Sequence, residues 1–246
     1  MTLLKLFRFS HFCEKVSWAA DYSSLKIQRH YLYPGLHSSE VVKLSGQSAV
    51  PILCDGDKVV TGSARIIEWI NAHDEHYDIY PQTPEGVQEF KRLQARYDDL
   101  GAASRGGMFE HLLTAPHAAG KLFTSGSGLA SLGYPAFMIM AGPMLKKRIT
   151  KNRSEIDAGL VKLEQELDEL ETRLSGRNYL LENRFTSADL VVASMLFPLC
   201  FPSECGHQLS PKLQQALGPW LKRWRGYAAL DWVKDIYYRH RHRTTS

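Results

Sequence analysis

The 246-residue sequence has few cysteines and no uninterrupted apolar run. Only Cys13, Cys54, Cys200 and Cys205 are present, with no CxxC pair. Their wide scatter excludes a disulfide framework and favours a reducing compartment. The most apolar window, Leu129 to Met144, is broken by Gly133, Pro135, Gly142 and Pro143. It is too short and too interrupted to span a bilayer. The opening Met-Thr-Leu-Leu-Lys-Leu-Phe-Arg holds no apolar stretch long enough for a secretory signal. Charge of one sign is scarce as well: the net value is +4, too mild to argue for a nucleic-acid partner. The run Arg239-His240-Arg241-His242-Arg243 is locally basic and reads as a solvated helix end, where cations suit the helix dipole. These absences lead us to expect a cytoplasmic protein with no metal, no nucleic acid and no membrane partner. The remainder is ordinary globular composition, 44% hydrophobic and 23% charged.

Along the chain, residues 3–9 read as a partly buried strand. From Phe12 the spacing turns helical, with Phe12, Val16, Ala19 and Ala20 on one face. Residues 26–33 read as a second strand, ended by Pro34-Gly35, and the polar stretch after them reads as irregular. "AVPILCDGDKVV" reads as two strands joined at Asp55-Gly56, a strong hairpin signal. "SARIIEWINAH" follows as a helix with Ser63 in the N-cap position. Residues 76–86 read as a linker, and all beyond them as helical. Residues 87–100 form one helix. Ile156, Leu160, Leu163, Leu167, Leu170 and Leu174 make a single apolar stripe, read as a bundle helix. "FTSADLVVASMLF" is apolar throughout and therefore central, and the chain closes with one or two further helices. The glycine-rich stretch from Gly101 to Gly142 reads as a poorly ordered loop or a lid.

Three local features carry chemistry. Val50-Pro51 places a proline at a strand start, where the edge backbone is free to pair with an extended peptide or is simply a strand edge. Ser63 at a helix start offers an anion site or a plain cap. Ser10 opens the first helix and Cys13 follows as its N3 residue. The hydroxyl caps the helix or donates to a bound thiolate; the thiol is either reactive or packed. One β-α-β-β-β-α unit that binds a carboxylate, an extended backbone and a thiolate fits a short thiol peptide such as glutathione.

At this point the chain resembles a cytosolic glutathione S-transferase over essentially its whole length. "S10-H11-F12-C13-E14-K15-V16" is similar to that family's Ser-Pro-Phe-Cys/Ser-x-Lys-Val pattern, with His11 in place of the proline. Val50-Pro51 resembles the family's cis-proline, and Ser63 the serine of its Glu/Gln-Ser pair, with Gly62 replacing the first member. "T186-S187-A188-D189-L190" resembles its Thr-x-Ala-Asp capping box, and Glu182-Asn183 stands where many members have Gly-Asp. The resemblance implies an α/β plus all-α fold, a thioredoxin-like domain over residues 1–80 and an all-helical domain over 81–246. It implies Ser10 as the sulfur-contacting residue, with Cys13 as the rival. It further implies glutathione bound by His37, Val50, Pro51 and Ser63, and an electrophile pocket of Phe12, Met108, Phe109, Leu112 and Tyr134. The expected activity is conjugation of glutathione to a hydrophobic electrophile in detoxification. Glutathione would be the co-substrate, with no other cofactor, in a homodimer. The alternatives are a thiol transferase or reductase using Cys13, and a non-catalytic glutathione-binding protein.

Overall fold

A computed structural model describes residues 1–124 and 130–241; His242 and Arg243 of the basic run, and Leu129 of the apolar window, lie outside the described residues. Strand β1 (Thr2–Phe7), helix α1 (His11–Tyr22) and strand β2 (Ile27–Leu32) come first, followed by α2 (Ser38–Ser45), the hairpin β3 (Ile52–Asp55) and β4 (Lys58–Thr61), and α3 (Ser63–His73). The four strands form one sheet in the order β2-β1-β3-β4. β1 runs parallel to β2 and antiparallel to β3. The expected strands and hairpin are present, shifted by a residue or two at their ends. Helix α2, in the stretch read as irregular, was not legible because only Val41 of it is buried. It ends on Gly46 at φ 72, the left-handed cap that glycine adopts at no steric cost.

Beyond residue 83 the described elements are helices: α4 (Pro84–Leu112), α5 (Pro116–Phe123), α6 (Ala130–Ile149), α7 (Arg153–Leu174), α8 (Ser187–Cys200), α9 (Pro211–Arg223) and α10 (Ala228–His240). A sheet with helices followed by an all-helical region is the expected fold class. The region read as loop or lid is mostly helical, and its glycines explain the misreading. They are sites of close packing, not breaks. A Cβ on Gly106 would lie 2.7 Å from Ile156 Cδ1, on Gly107 2.6 Å from Trp220, and on Gly120 2.6 Å from the Pro135 backbone. The expected helix 87–100 is therefore the first half of α4, which Thr83 caps by accepting from Gly86 N.

The heptad stripe of α7 is buried from Ile156 to Leu170. Helix α8 is buried from Ser187 to Leu199 and carries a complete capping box. Asp189 accepts from Thr186 N and Leu180 N, both at 2.8 Å; those donors lower its carboxyl pKa, but burial outweighs them and pushes it up to about 6. Thr186→Ala is expected to lower stability by about 1–2 kcal/mol. Urea unfolding checks this; an unchanged midpoint would remove the cap from the account. The Glu182-Asn183 pair adopts positive φ (55° and 49°). The Glu182 carboxylate accepts from Gln82 N and Thr83 N, which fastens this turn to the start of α4.

Candidate active site

Strand register gathers the candidate residues. Lys5 pairs with Ile52, and Ile52 with Thr61. The end of β1, the start of β3 and the end of β4 therefore share one end of the sheet. From that end depart Ser10, the Val50–Pro51 peptide and Ser63.

Ser10 is the N-cap of α1, with extended backbone, and its Oγ accepts from Cys13 N at 3.4 Å. One lone pair is thus used inside the chain, and the hydroxyl proton remains available to donate outward. The Val50–Pro51 peptide is cis. The backbone N–H and C=O of Val50 make no hydrogen bond among the described residues. Ser63 differs from the expected N-cap: Gly62 (φ 88) holds that position and Ser63 is the first helical residue. The backbone leaves β4 in a left-handed conformation, so the turn takes glycine and the serine moves one step into the helix. The Ser63 hydroxyl has no partner among the described residues, and Arg65 in the same first turn donates to Thr61 Oγ1 at 2.8 Å. His37 sits edge-on to Phe7 at 4.6 Å, and its Nε2 lies 2.9 Å from Ser48 O. Its Nδ1 is buried and has no partner among the described residues.

The structure places Cys13, the other candidate catalytic residue, in the interior. It is fully buried, and Phe7 N donates to its sulfur at 3.3 Å. Burial pushes its thiol up to about 11, against the lowering by Ser10 and Phe7 N. An N3 position by itself favours thiolate; desolvation outweighs it here.

The residues expected to form the electrophile pocket are divided between the core and the cleft side of α4. Met108 and Leu112 are closed off in the core, because α4 continues through both. Phe109 stacks on Phe123 at 6.0 Å, Phe123 meets Phe9 at 6.0 Å, and Tyr134 donates to Pro34 O at 2.7 Å. Phe109 and Tyr134 are thus members of an aromatic wall joining the helical region to the β1–α1 and β2–α2 loops. Phe12 is half-buried and faces Gly101, whose Cβ would come within 2.8 Å of its ring. A separate cavity of about 660 Å³ lies behind α1, lined by Glu14, Ser17, Asp21, Arg29 and Arg241. It includes none of Ser10, Val50 or Ser63, and four of its charged residues pair with one another: Arg29 with Asp21, and Arg241 with Glu14 and Asp21.

Two residues were missed from the sequence. Arg105, one turn beyond Gly101 on α4, has no acid partner among the described residues, and burial lowers its pKa. Its signal, the Gly101-x-x-x-Arg105 spacing, was hidden in a stretch read as loop. His11 is buried against Gly101, and burial, with Arg105 and Lys15 nearby, lowers its pKa to about 3. The unfolded chain takes up this proton below pH 6.5, the folded chain only near pH 3, so stability falls as pH drops through that window. Ser10 is extended (φ −167°, ψ 127°), which accepts a following proline, and the first helical position favours one. His11→Pro is therefore expected to flatten the fall in unfolding free energy between pH 6 and pH 4 by about 1–3 kcal/mol. Equal slopes in urea titrations of the two proteins would refute this.

Lys15 is fully buried and pairs with Asp98 of α4 at 2.5 Å, joining α1 to the helical region behind Ser10.

Two family models match the chain. Glutathione S-transferase, N-terminal domain, covers residues 4–77, and glutathione S-transferase, C-terminal domain, covers residues 153–229; together they span more than half of the sequence. No curated relative matches. Among solved structures, the β-etherase LigF from Sphingobium sp. strain SYK-6 is similar over 95% of this chain and 98% of that one, with 19% identity and a TM-score of 0.60. A glutathione S-transferase from Methylobacillus flagellatus KT with glutathione bound matches over 99% and 100%, with 14% identity and a TM-score of 0.57. A glutathione S-transferase from Methylobacterium radiotolerans JCM 2831 in complex with glutathione sulfonate matches over 94% and 92%, with 17% identity and a TM-score of 0.53. At these identities the likeness is one of fold.

Proposed function

The chain belongs to the glutathione S-transferase superfamily, and on that premise we propose that it ionises glutathione at the start of α1 and adds the thiolate to an apolar electrophile. The observation that carries this reading is the Ser10 hydroxyl, which accepts from Cys13 N and keeps its proton for a ligand. A free thiol is only a few per cent ionised at neutral pH. A hydroxyl donor at a positive helix end stabilises the thiolate and raises that fraction. The unpaired backbone of Val50 suits the cysteinyl backbone of the tripeptide. Ser63 and the N–H groups of the first α3 turn suit the γ-glutamyl carboxylate. His37, held by Ser48 O, stands toward the glycine end. Phe12 and the aromatic wall border the electrophile, with Arg105 beside them. Glutathione is the co-substrate, and the reading extends to a cytoplasmic homodimer that acts in detoxification.

Calorimetric titration with glutathione, followed by spectrophotometric conjugation of a chlorodinitrobenzene, tests the proposal. Binding and turnover are expected. No binding at millimolar glutathione would favour a non-catalytic binding role, which Gly62 supports by offering no side chain to the ligand. A stable mixed disulfide on Cys13 after oxidised glutathione would instead favour a thiol transferase, against the burial of that thiol.

A further inference from the structure

Helix α6 is apolar on both faces. Its inner face buries Tyr134, Pro135 and Met138 against α5 and the β2–α2 loop. Its outer face leaves Leu132 77%, Ile139 54%, Met140 82% and Met144 74% exposed. With Ala136 and Pro143 these residues recur at three- and four-residue steps, a stripe about 18 Å long at 1.5 Å per residue. A helix apolar all round is ordinarily buried, yet nothing among the described residues covers this face.

Charge singles out the same region. The 44 residues from His111 to Ser154 hold six Lys and Arg and no Asp or Glu, which leaves the rest of a +4 chain at net −2. Lys147 and Arg148 continue the exposed stripe by three and four residues, and Lys146 and Lys151 flank them. None of these four makes an ion pair among the described residues, whereas nearby Arg153 pairs with Asp157 and Glu110. A second copy of the chain would bring two acid-free cationic segments together across an isologous contact. An anionic bilayer supplies hydrocarbon for Met140, Ile139 and Met144, and phosphates for the cations.

We propose that the outer face of α6 lies on an anionic lipid surface, as an interfacial helix and not a spanning one. No helix among the described residues is long and apolar enough to cross a membrane, so the expectation of no membrane partner is revised only for surface contact. Tyr134 on the inner face bonds Pro34 O, which places the docked helix beside the loop that leads into α2.

Co-sedimentation with phosphatidylcholine vesicles, with and without phosphatidylglycerol, tests this. Binding is expected only with phosphatidylglycerol. Lys147→Glu with Arg148→Glu should weaken it about thirtyfold, and Met140→Glu with Met144→Glu by about tenfold or more, with the far-ultraviolet circular dichroism unchanged. Absence of binding by the wild-type protein, or equal binding to neutral vesicles, overturns the proposal. So does a dimer in light scattering that the methionine substitutions dissociate, since the face would then belong to a second copy.

Discussion

Ser10→Ala is expected to lower glutathione conjugation ten- to a hundredfold at neutral pH. Losing one hydrogen bond to a charged group costs about 1.5–3 kcal/mol, and each 1.36 kcal/mol is a factor of ten in rate. The loss should fall on ionisation of the bound thiol more than on affinity, because Val50 and the α3 N-terminus hold the rest of the tripeptide. Activity of the variant should therefore recover as pH rises toward the free thiol pKa. Cys13→Ala should leave the rate largely intact, since that sulfur is buried and its thiol is pushed up to about 11. Stopped-flow titration of thiolate absorbance against pH checks both statements. An active Ser10→Ala beside a dead Cys13→Ala would move the chemistry to the second position. Part of the Ser10 effect is structural, because the same hydroxyl caps α1. Ser10→Thr, which keeps a hydroxyl at the cap, should retain far more activity than alanine.

Arg241→Met is expected to lower stability by about 3–5 kcal/mol, measured by urea unfolding. The Arg241 side chain is 4% exposed. Its Nε donates to Glu14 Oε1 at 2.7 Å and its Nη1 to Asp21 Oδ2 at 2.6 Å. Burial lowers the guanidinium pKa, but Glu14 and Asp21 outweigh it and raise the pKa further. Breaking a buried pair by removing one partner is expensive because it strands a charge. Here two carboxylates are left behind: Asp21 keeps Arg29 at 2.5 Å, whereas Glu14 keeps no other cation partner among the described residues. Glu14→Gln should thus recover part of the loss in the Arg241→Met background, a coupling that a double-mutant cycle reads directly. A loss below about 1 kcal/mol, the range of surface pairs, would show that the network is solvated. The same junction holds the end of α10 through Trp18 Nε1 and Tyr22 Oη, which donate to His240 O at 3.2 and 3.0 Å.

Arg241 also marks where reading along the chain stops being informative. In sequence it belongs to a basic run that reads as a solvated helix end. In the structure it is buried against acids more than two hundred residues away, at a separation of 227 from Glu14. The same holds for Cys13. Its place in the first turn of α1 was legible from Ser10 and the spacing after Phe12, but its inertness follows from burial that no local pattern records. Gly101, Gly106 and Gly107 read as breakers because isolated glycine disfavours helix. They lie inside α4, at points where Met195 and Phe12, Ile156, and Trp220 come too close for any side chain.

What the sequence determined by itself were the features set by neighbours within a few residues. These are the Asp55-Gly56 hairpin, the α7 stripe, the Thr186–Asp189 capping box and Ser10 at a helix start. Turn chemistry, caps and periodicity act over one or two turns of chain, so composition and spacing are enough to specify them. The tertiary structure alone decided which thiol is buried, how far α4 runs, that Ser63 enters the helix behind Gly62, and that α6 presents a bare apolar face. Each of these depends on what packs against a residue from far along the chain, and burial, close approach and ion pairing are properties of that neighbour as much as of the residue itself.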